Sequence, residues 1–288
     1  MGELQELARK LLADGAVKVV IGYEEGPRGV RPAFITTPKD ADRLVFDERC
    51  VHNLTMYLTP TRKHIAALGK PAIIVKGCDT RSLAGLIRQS QVKRENVVVI
   101  GARCGGVLKD PSVKAAIAED TVADRCRGCT IREPRLVDHL VGEPKPAPPG
   151  KSLVDQKIDE LDAMTPEQRL AFWHEQLSRC IRCHACREVC PNCFCVRCLA
   201  DKAEPLESSA HLRGNMAWHM VRAMHQAGRC VDCGECERVC PADIPLRLLN
   251  RKIARVIEAR FGHRPDDDPE STAPIGSFQP EDGQEFIR

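Results

Sequence analysis

Aromatic residues are scarce in this chain: two Trp, two Tyr and seven Phe make up 4% of 288 residues. So few rings argue against a base-stacking surface for single-stranded nucleic acid. Charge of one sign is lacking too. The 43 Lys and Arg stand against 40 Asp and Glu, a net charge of +3, which leaves no electrostatic footprint for nucleic acid. No apolar run approaches the roughly 18 residues needed to span a bilayer, so no direct membrane insertion is expected. No signal peptide is recognised, and a cytoplasmic location with reduced thiols is expected. The G-x-G-x-x-G of dinucleotide-binding turns is absent, as is the H-E-x-x-H metal spacing. His174, His184 and His219 therefore read as packing or surface residues. With 43% hydrophobic residues, the chain can still bury a sizeable core and fold as one to three domains.

What the chain does have is cysteine, 16 in all. Eight of them fall in two copies of one spacing, Cys180-x2-Cys183-x2-Cys186-x3-Cys190-Pro191 and Cys230-x2-Cys233-x2-Cys236-x3-Cys240-Pro241. This is the ligand run of ferredoxins with two [4Fe–4S] clusters, in which the fourth Cys of each run serves the other cluster. Cys180, Cys183, Cys186 and Cys240 are thus expected to hold one cluster, and Cys230, Cys233, Cys236 and Cys190 its partner. Pro191 and Pro241 suit the first position of a helix. Zinc sites are the competing reading, as a zinc-stapled scaffold, but they lack the evenly spaced third Cys and the trailing Cys-Pro. The protein is expected to move electrons.

The first half alternates helical and strand patterns. Residues 3–13 form an amphipathic stripe, and strands are expected at 17–22, 31–37, 43–46, 71–77 and 96–101, with a helix over about 51–68. Asp79 is the expected N-cap of a helix bearing Leu83, Leu86 and Ile87. The rhythm implies an α/β domain with a parallel sheet over 1–145, whose ligands gather beyond the carboxyl ends of the strands. Cys78 and Cys104 fall at two such ends and Cys126-x2-Cys129 follows, a candidate set for a third [4Fe–4S] cluster. The competing reading leaves the first two as small buried hydrophobes and the last two as a pair without metal. Gly105-Gly106 after a strand also allows backbone to approach a phosphate or flavin.

A Pro-rich stretch at 143–151 marks the boundary, with a linker over 146–165. A mainly helical, two-cluster ferredoxin-like domain is expected over 166–263. Thr165, Pro166 and Gln168 announce its first helix through a capping box. Residues 211–226 read as a helix stopped by Gly228, with Met216, Met220 and Met224 packing toward a cluster. A last amphipathic helix carries Leu249, Ile253, Val256, Ile257 and Phe261. The tail 264–288 has seven acidic residues against two Arg and is expected to be disordered alone, free to wrap a partner. Cys193, Cys195 and Cys198 remain, with three roles open: shielding a ferredoxin cluster, ligating one, or binding a metal across a subunit interface. Cys50 reads as a buried thiol.

The stretches Lys76-Gly77-Cys78-Asp79-Thr80-Arg81-Ser82-Leu83, Asn96 to Gly101, Cys104 and Cys126-x2-Cys129 resemble the beta subunit family of coenzyme F420 hydrogenase and F420-linked formate dehydrogenase. Cys180 to Cys195 is similar to the ferredoxin part of formate-dehydrogenase-type members and to iron–sulfur subunits of anaerobic sulfite reductases and sulfhydrogenases. The second run with Ile244-Pro245-Leu246-Arg247 resembles modules that work beside heterodisulfide-reductase-type proteins. The resemblance covers most of residues 15–262. It implies an iron–sulfur electron-transfer subunit of an anaerobic redox complex. The partners would be a formate dehydrogenase or hydrogenase catalytic subunit, or a heterodisulfide-reductase-like flavoprotein. It also implies FAD, with Gly77, Asp79, Gly105 and Gly106 as candidate contacts. The alternative is a flavin-dependent oxidoreductase of F420 or NAD(P)H that feeds its own clusters. No acid–base or nucleophile pair stands out, in keeping with a relay that is not itself catalytic. The chain is shorter in the flavin-binding half than members that reduce F420 themselves.

Overall fold

The apolar run after Gly15 leads into the second strand of a five-stranded sheet, paired on both sides. The fold comes from a computed structural model, which describes residues 2–201, 210–266, 268–277 and 280–281. Helix α1 (Glu3–Ala13) buries Leu4, Ala8 and Leu12 and keeps Glu3 and Glu6 in its first turn, where the helix dipole favours acid. Strand β1 (Val19–Gly26) pairs antiparallel with β2 (Gly29–Ile35), Val20 opposite Ile35. Its first six residues are buried. The expected strand at 43–46 is reduced to one bridge, Glu24 with Leu44. Pro38 starts a 3-10 turn over Pro38–Arg43, and the chain then drops Leu44 into the core.

The helix expected over 51–68 does not form. Asn53 caps a 3-10 turn at Leu54–Leu58, and after Thr59, extended ahead of Pro60, only α2 (Lys63–Ala66) follows. Pro60 explains the break, because proline disfavours a helical residue before it. Strand β3 (Pro71–Val75) lies parallel to β1 and leads into α3 (Gly77–Arg88). Lys76, not Asp79, is the N-cap: the chain stays extended through Lys76, and the Asp79 carboxylate accepts the Lys76 N–H at 3.0 Å from the third helical position. Strand β4 (Val98–Ala102) and a three-residue β5 (His139–Val141), too short to show a pattern in sequence, complete the order β2-β1-β3-β4-β5. All but β2 run parallel. Val19, Val20, Ile21, Ile73, Ile74, Val99 and Ile100 are fully buried, each stabilising the fold by about 1.5–3 kcal/mol relative to exposure.

Residues 143–152 have no regular structure. Within the expected linker lies α4 (Leu153–Ala163), which packs Val154, Ile158 and Leu161 against Leu248. Helix α5 (Pro166–Ser178) starts at the Thr165–Gln168 capping box. The cysteine runs follow, with α6 (Ala185–Glu188), α7 (Leu212–His225), α8 (Glu235–Arg238) and α9 (Leu246–Phe261). Pro191 and Pro241 lie in turns after α6 and α8 rather than at helix starts.

The methionine row on α7 does not pack as expected. Met216 joins the core, but Met220 and Met224 are exposed. The buried stripe is polar: Asn215, His219, Arg222 and Gln226, at 4-3-4 spacing, are each at most 5% exposed. On α9 the apolar stripe ends early, with Phe261 exposed. The tail returns to the molecule at Asp266, which pairs with Arg88 of α3 at 3.0 Å. The expectation of disorder at 267, 278–279 and 282–288 lies outside the described residues. Among the described residues no helix is long and apolar enough to cross a membrane.

Candidate metal centres

The two cysteine runs adopt one backbone twice. Arg182 and His184 flank Cys183 with φ of 56° and 61°, and Asp232 and Gly234 flank Cys233 with φ of 57° and 68°. These left-handed residues cost non-glycine side chains about 1–2 kcal/mol each. In return they wrap each loop around its sulfurs and turn successive N–H groups inward, an anion-binding nest. The Arg182 N–H donates to Cys180 Sγ at 3.4 Å. The Asp232 and Glu235 N–H groups donate to Cys230 and Cys233. The short helices α6 and α8 then carry Cys186 and Cys236.

The fourth cysteines cross over. Cys180, Cys183, Cys186 and Cys240 line one cavity, with Trp218 and His219 in its wall. Cys230, Cys233, Cys236 and Cys190 line a second, with Arg222, Gln226 and Asn250. Burial pushes the Cys186 thiol up to about 11, and the Cys230, Cys233 and Cys236 thiols up to about 12. Soft metal centres take such groups as thiolates and release their protons.

The polar stripe of α7 holds both cavities from behind, and the sequence reading missed it. Asn215, fully buried, donates to the carbonyls of Leu177 and Cys180 and accepts from Arg182 Nε. His219 Nε2 is 3.3 Å from Cys180 Sγ. Burial, then Arg222 and Arg182, push the His219 pKa down to about 3, so the ring is neutral. Arg222 donates to the Cys186 carbonyl, and Gln226 to the Asn192 carbonyl and Cys193 Sγ. The available signal was the 4-3-4 spacing of large polar residues, on a helix whose Met220 and Met224 are exposed.

The α/β half contributes a third group. Cys78 in the first turn of α3, Cys104 beyond β4, and Cys126 and Cys129 around a 3-10 turn line one cavity at the carboxyl edge of the sheet. The Gly106 N–H donates to Cys104 Sγ at 3.4 Å. Burial pushes the Cys104 thiol up to about 11 and raises those of Cys78 and Cys129. Lys76 is buried beside them, its Nζ bonded to Asp79 at 2.9 Å, Tyr23 Oη at 2.8 Å and the His52 carbonyl at 2.6 Å. Burial opposes that charge, but attraction to Asp79, Tyr23 and Cys78 outweighs it and the ammonium stays protonated. Cys50, outside these groups, is a fully buried thiol.

Asp232 and Cys233 line this third cavity as well as the second. Charged pairs hold the two halves together at that point. Arg247 bonds Asp124 at 2.6 Å and Asp232 at 2.7 Å. Glu235, 1% exposed, accepts from Arg238 at 2.7 Å and lies 3.4 Å from Arg125. Arg238 also reaches His52 Nδ1 at 3.1 Å.

The residues that the sequence offered to a flavin lie close to other parts of the chain. A Cβ on Gly77 would run into the Ile131 carbonyl, one on Gly105 would meet Lys145, and one on Gly106 would meet Pro148. Gly106 and Asp79 also line the cavity of the third cysteine group, and Asp79 is 1% exposed with its carboxylate taken by Lys76.

Residues 176–244 match a 4Fe-4S dicluster domain family. Nearly the whole chain is similar to an F420-dependent formate dehydrogenase 1 subunit beta of Methanococcus maripaludis, 26% identical over 97% of this chain and 94% of the relative. An F420-dependent formate dehydrogenase subunit beta of Methanocaldococcus jannaschii is 24% identical over 90% of this chain and 89% of its own length. The first alignment runs over 369 positions against 288 residues here, so that relative carries segments without a counterpart in this chain. The chain is thus similar over most of its length to formate dehydrogenase beta subunits, and its C-terminal half contains the match to a 4Fe-4S dicluster domain.

Proposed function

We propose that the chain is an electron-relay subunit of a multi-subunit redox complex, with three [4Fe–4S] clusters in a row. Cys180, Cys183, Cys186 and Cys240 would hold the first, Cys190, Cys230, Cys233 and Cys236 the middle one, and Cys78, Cys104, Cys126 and Cys129 the third. Such clusters, when bound, supply one-electron carriers whose potentials follow charge, burial and hydrogen bonds to sulfur. The observation that carries the reading is the shared wall: Cys233 and Asp232 face both the middle and the third cavity.

The chain's own residues set the environment of each site. Arg222 and the Asn250 amide, the latter 3.6 Å from Cys236 Sγ, line the middle cavity, whereas neutral His219 borders the first. The buried Lys76–Asp79 pair borders the third without adding net charge. Cys183 is exposed and its neighbour Ile181 is 66% exposed. The first site therefore opens toward solvent, where a partner can exchange electrons. By analogy with the relatives, that partner would belong to a formate-oxidising complex. No step is assigned to a flavin in this chain.

Iron, acid-labile sulfide and flavin per chain, measured on anaerobically purified protein, test the reading. About twelve irons, falling to about eight in Cys126→Ser, are expected without stoichiometric flavin. About eight irons in both proteins would remove the third cluster. Stoichiometric flavin would replace the relay with a flavin-dependent oxidoreductase.

A further inference from the structure

We propose that Cys193, Cys195, Cys198 and His225 form a fourth metal site, for a single zinc ion, that clamps the loop after the first cysteine run onto α7. The four side chains line one cavity beside the middle group, whose Cys190 shares a hydrogen bond with Cys193. Three thiolates and one imidazole are a standard donor set for structural zinc. The C-x-C-x2-C spacing differs from the C-x2-C-x2-C of the two ferredoxin runs, so this loop does not repeat their wrapping.

A second observation points to an occupant of negative charge. Arg222 and Arg229 line the same cavity. The Nε of each is buried with no hydrogen-bond partner among the described residues. An unpaired buried donor is costly, about 1–3 kcal/mol. A zinc ion with three thiolates and a neutral imidazole carries net charge −1, and its sulfurs would accept those N–H groups. Arg187 adds a further positive side chain to the lining.

Among the described residues no three Cys, His, Asp or Glu side chains already stand at single-ion spacing. Closure therefore requires the exposed Cys195 side chain to turn inward. That motion tethers the loop to the C-terminal end of α7. Trp218, Arg222 and Gln226, which line this cavity, also line one of the ferredoxin cavities, so the clamp would stiffen a wall common to three sites.

The test is zinc and iron content of the full chain, purified anaerobically from zinc-replete cells, together with zinc K-edge absorption. One zinc per chain is expected, with three sulfurs at about 2.3 Å and one nitrogen at about 2.0–2.1 Å. Cys195→Ser and His225→Ala should each lower zinc at least about tenfold while iron per chain is unchanged; that unchanged iron also reports that the variants fold. Three results would overturn the proposal: wild-type protein without zinc, zinc in an oxygen and nitrogen shell, or zinc retained in both variants. Loss of about four irons from Cys195→Ser would overturn it in favour of an iron–sulfur centre at these cysteines.

Discussion

Replacing Arg247 by Met tests how the two halves are held together. The guanidinium is 6% exposed and serves two carboxylates, Asp124 and Asp232, whose side chains are 35% and 30% exposed. Breaking a fully buried pair costs about 3–5 kcal/mol, and an exposed pair contributes about 0–1 kcal/mol. Here the cation is buried but each anion is about a third open to water, so rehydration recovers part of the loss. An intermediate cost of about 2–3 kcal/mol follows. At about 1.4 kcal/mol per decade that is roughly a 30- to 150-fold rise in opening of the contact. Native-state hydrogen exchange reads this directly. Amides at 124–129, 152–154 and 232–237 should lose protection by that factor, while β3 and β4 keep theirs. A change below about threefold at these amides would refute the reasoning, since the pair would then behave as a surface contact.

Other outcomes follow from the same geometry. Cys240→Ser should remove about four irons per chain, as should Cys183→Ser, and the double variant should lose no more than either alone, because both serve one site; iron analysis checks this. Asn215→Ala takes a fully buried amide donor away from the Leu177 and Cys180 carbonyls, so a loss of about 2–4 kcal/mol in denaturant unfolding is expected. His52 gives a pH dependence of definite sign. Burial, then Arg238, push its pKa down to about 4 from an ordinary 6.5. Above pH 6.5 the ring is neutral in both states and contributes no slope. As pH falls from 6.5 to 4 the unfolded chain takes up the proton first, and stability declines by about 2–3 kcal/mol. The difference in unfolding free energy between wild type and His52→Gln should therefore be constant above pH 6.5 and change by that amount below it; a difference independent of pH throughout would contradict the assignment. Gly77→Ala should destabilise by about 1–3 kcal/mol through overpacking against Ile131 and should lower iron at the neighbouring Cys78 site.

Local chemistry is what the sequence determined on its own. The two ferredoxin spacings, the Thr165–Gln168 capping box, α1 and the strands expected at 17–22, 31–37, 71–77 and 96–101 all depend on neighbours within a few positions, and each formed at or within a few residues of its pattern. Patterns that compete with a longer-range demand were not legible. Pro60 and the Asn53 cap split the helix expected over 51–68, Leu44 left its strand for the core, and β5 is too brief to carry a period. The α7 helix is the clearest case, because its Met row suggested a core face while the buried face is Asn215, His219, Arg222 and Gln226. Polar groups were drawn inward by carbonyls and sulfurs that lie 33 to 39 residues away in sequence, which no periodicity records. Tertiary structure also decided which cysteines share a cavity across the two halves. Spacing names donor atoms, but packing alone decides which of them share a wall, and that shared wall is what turns separate sites into a relay.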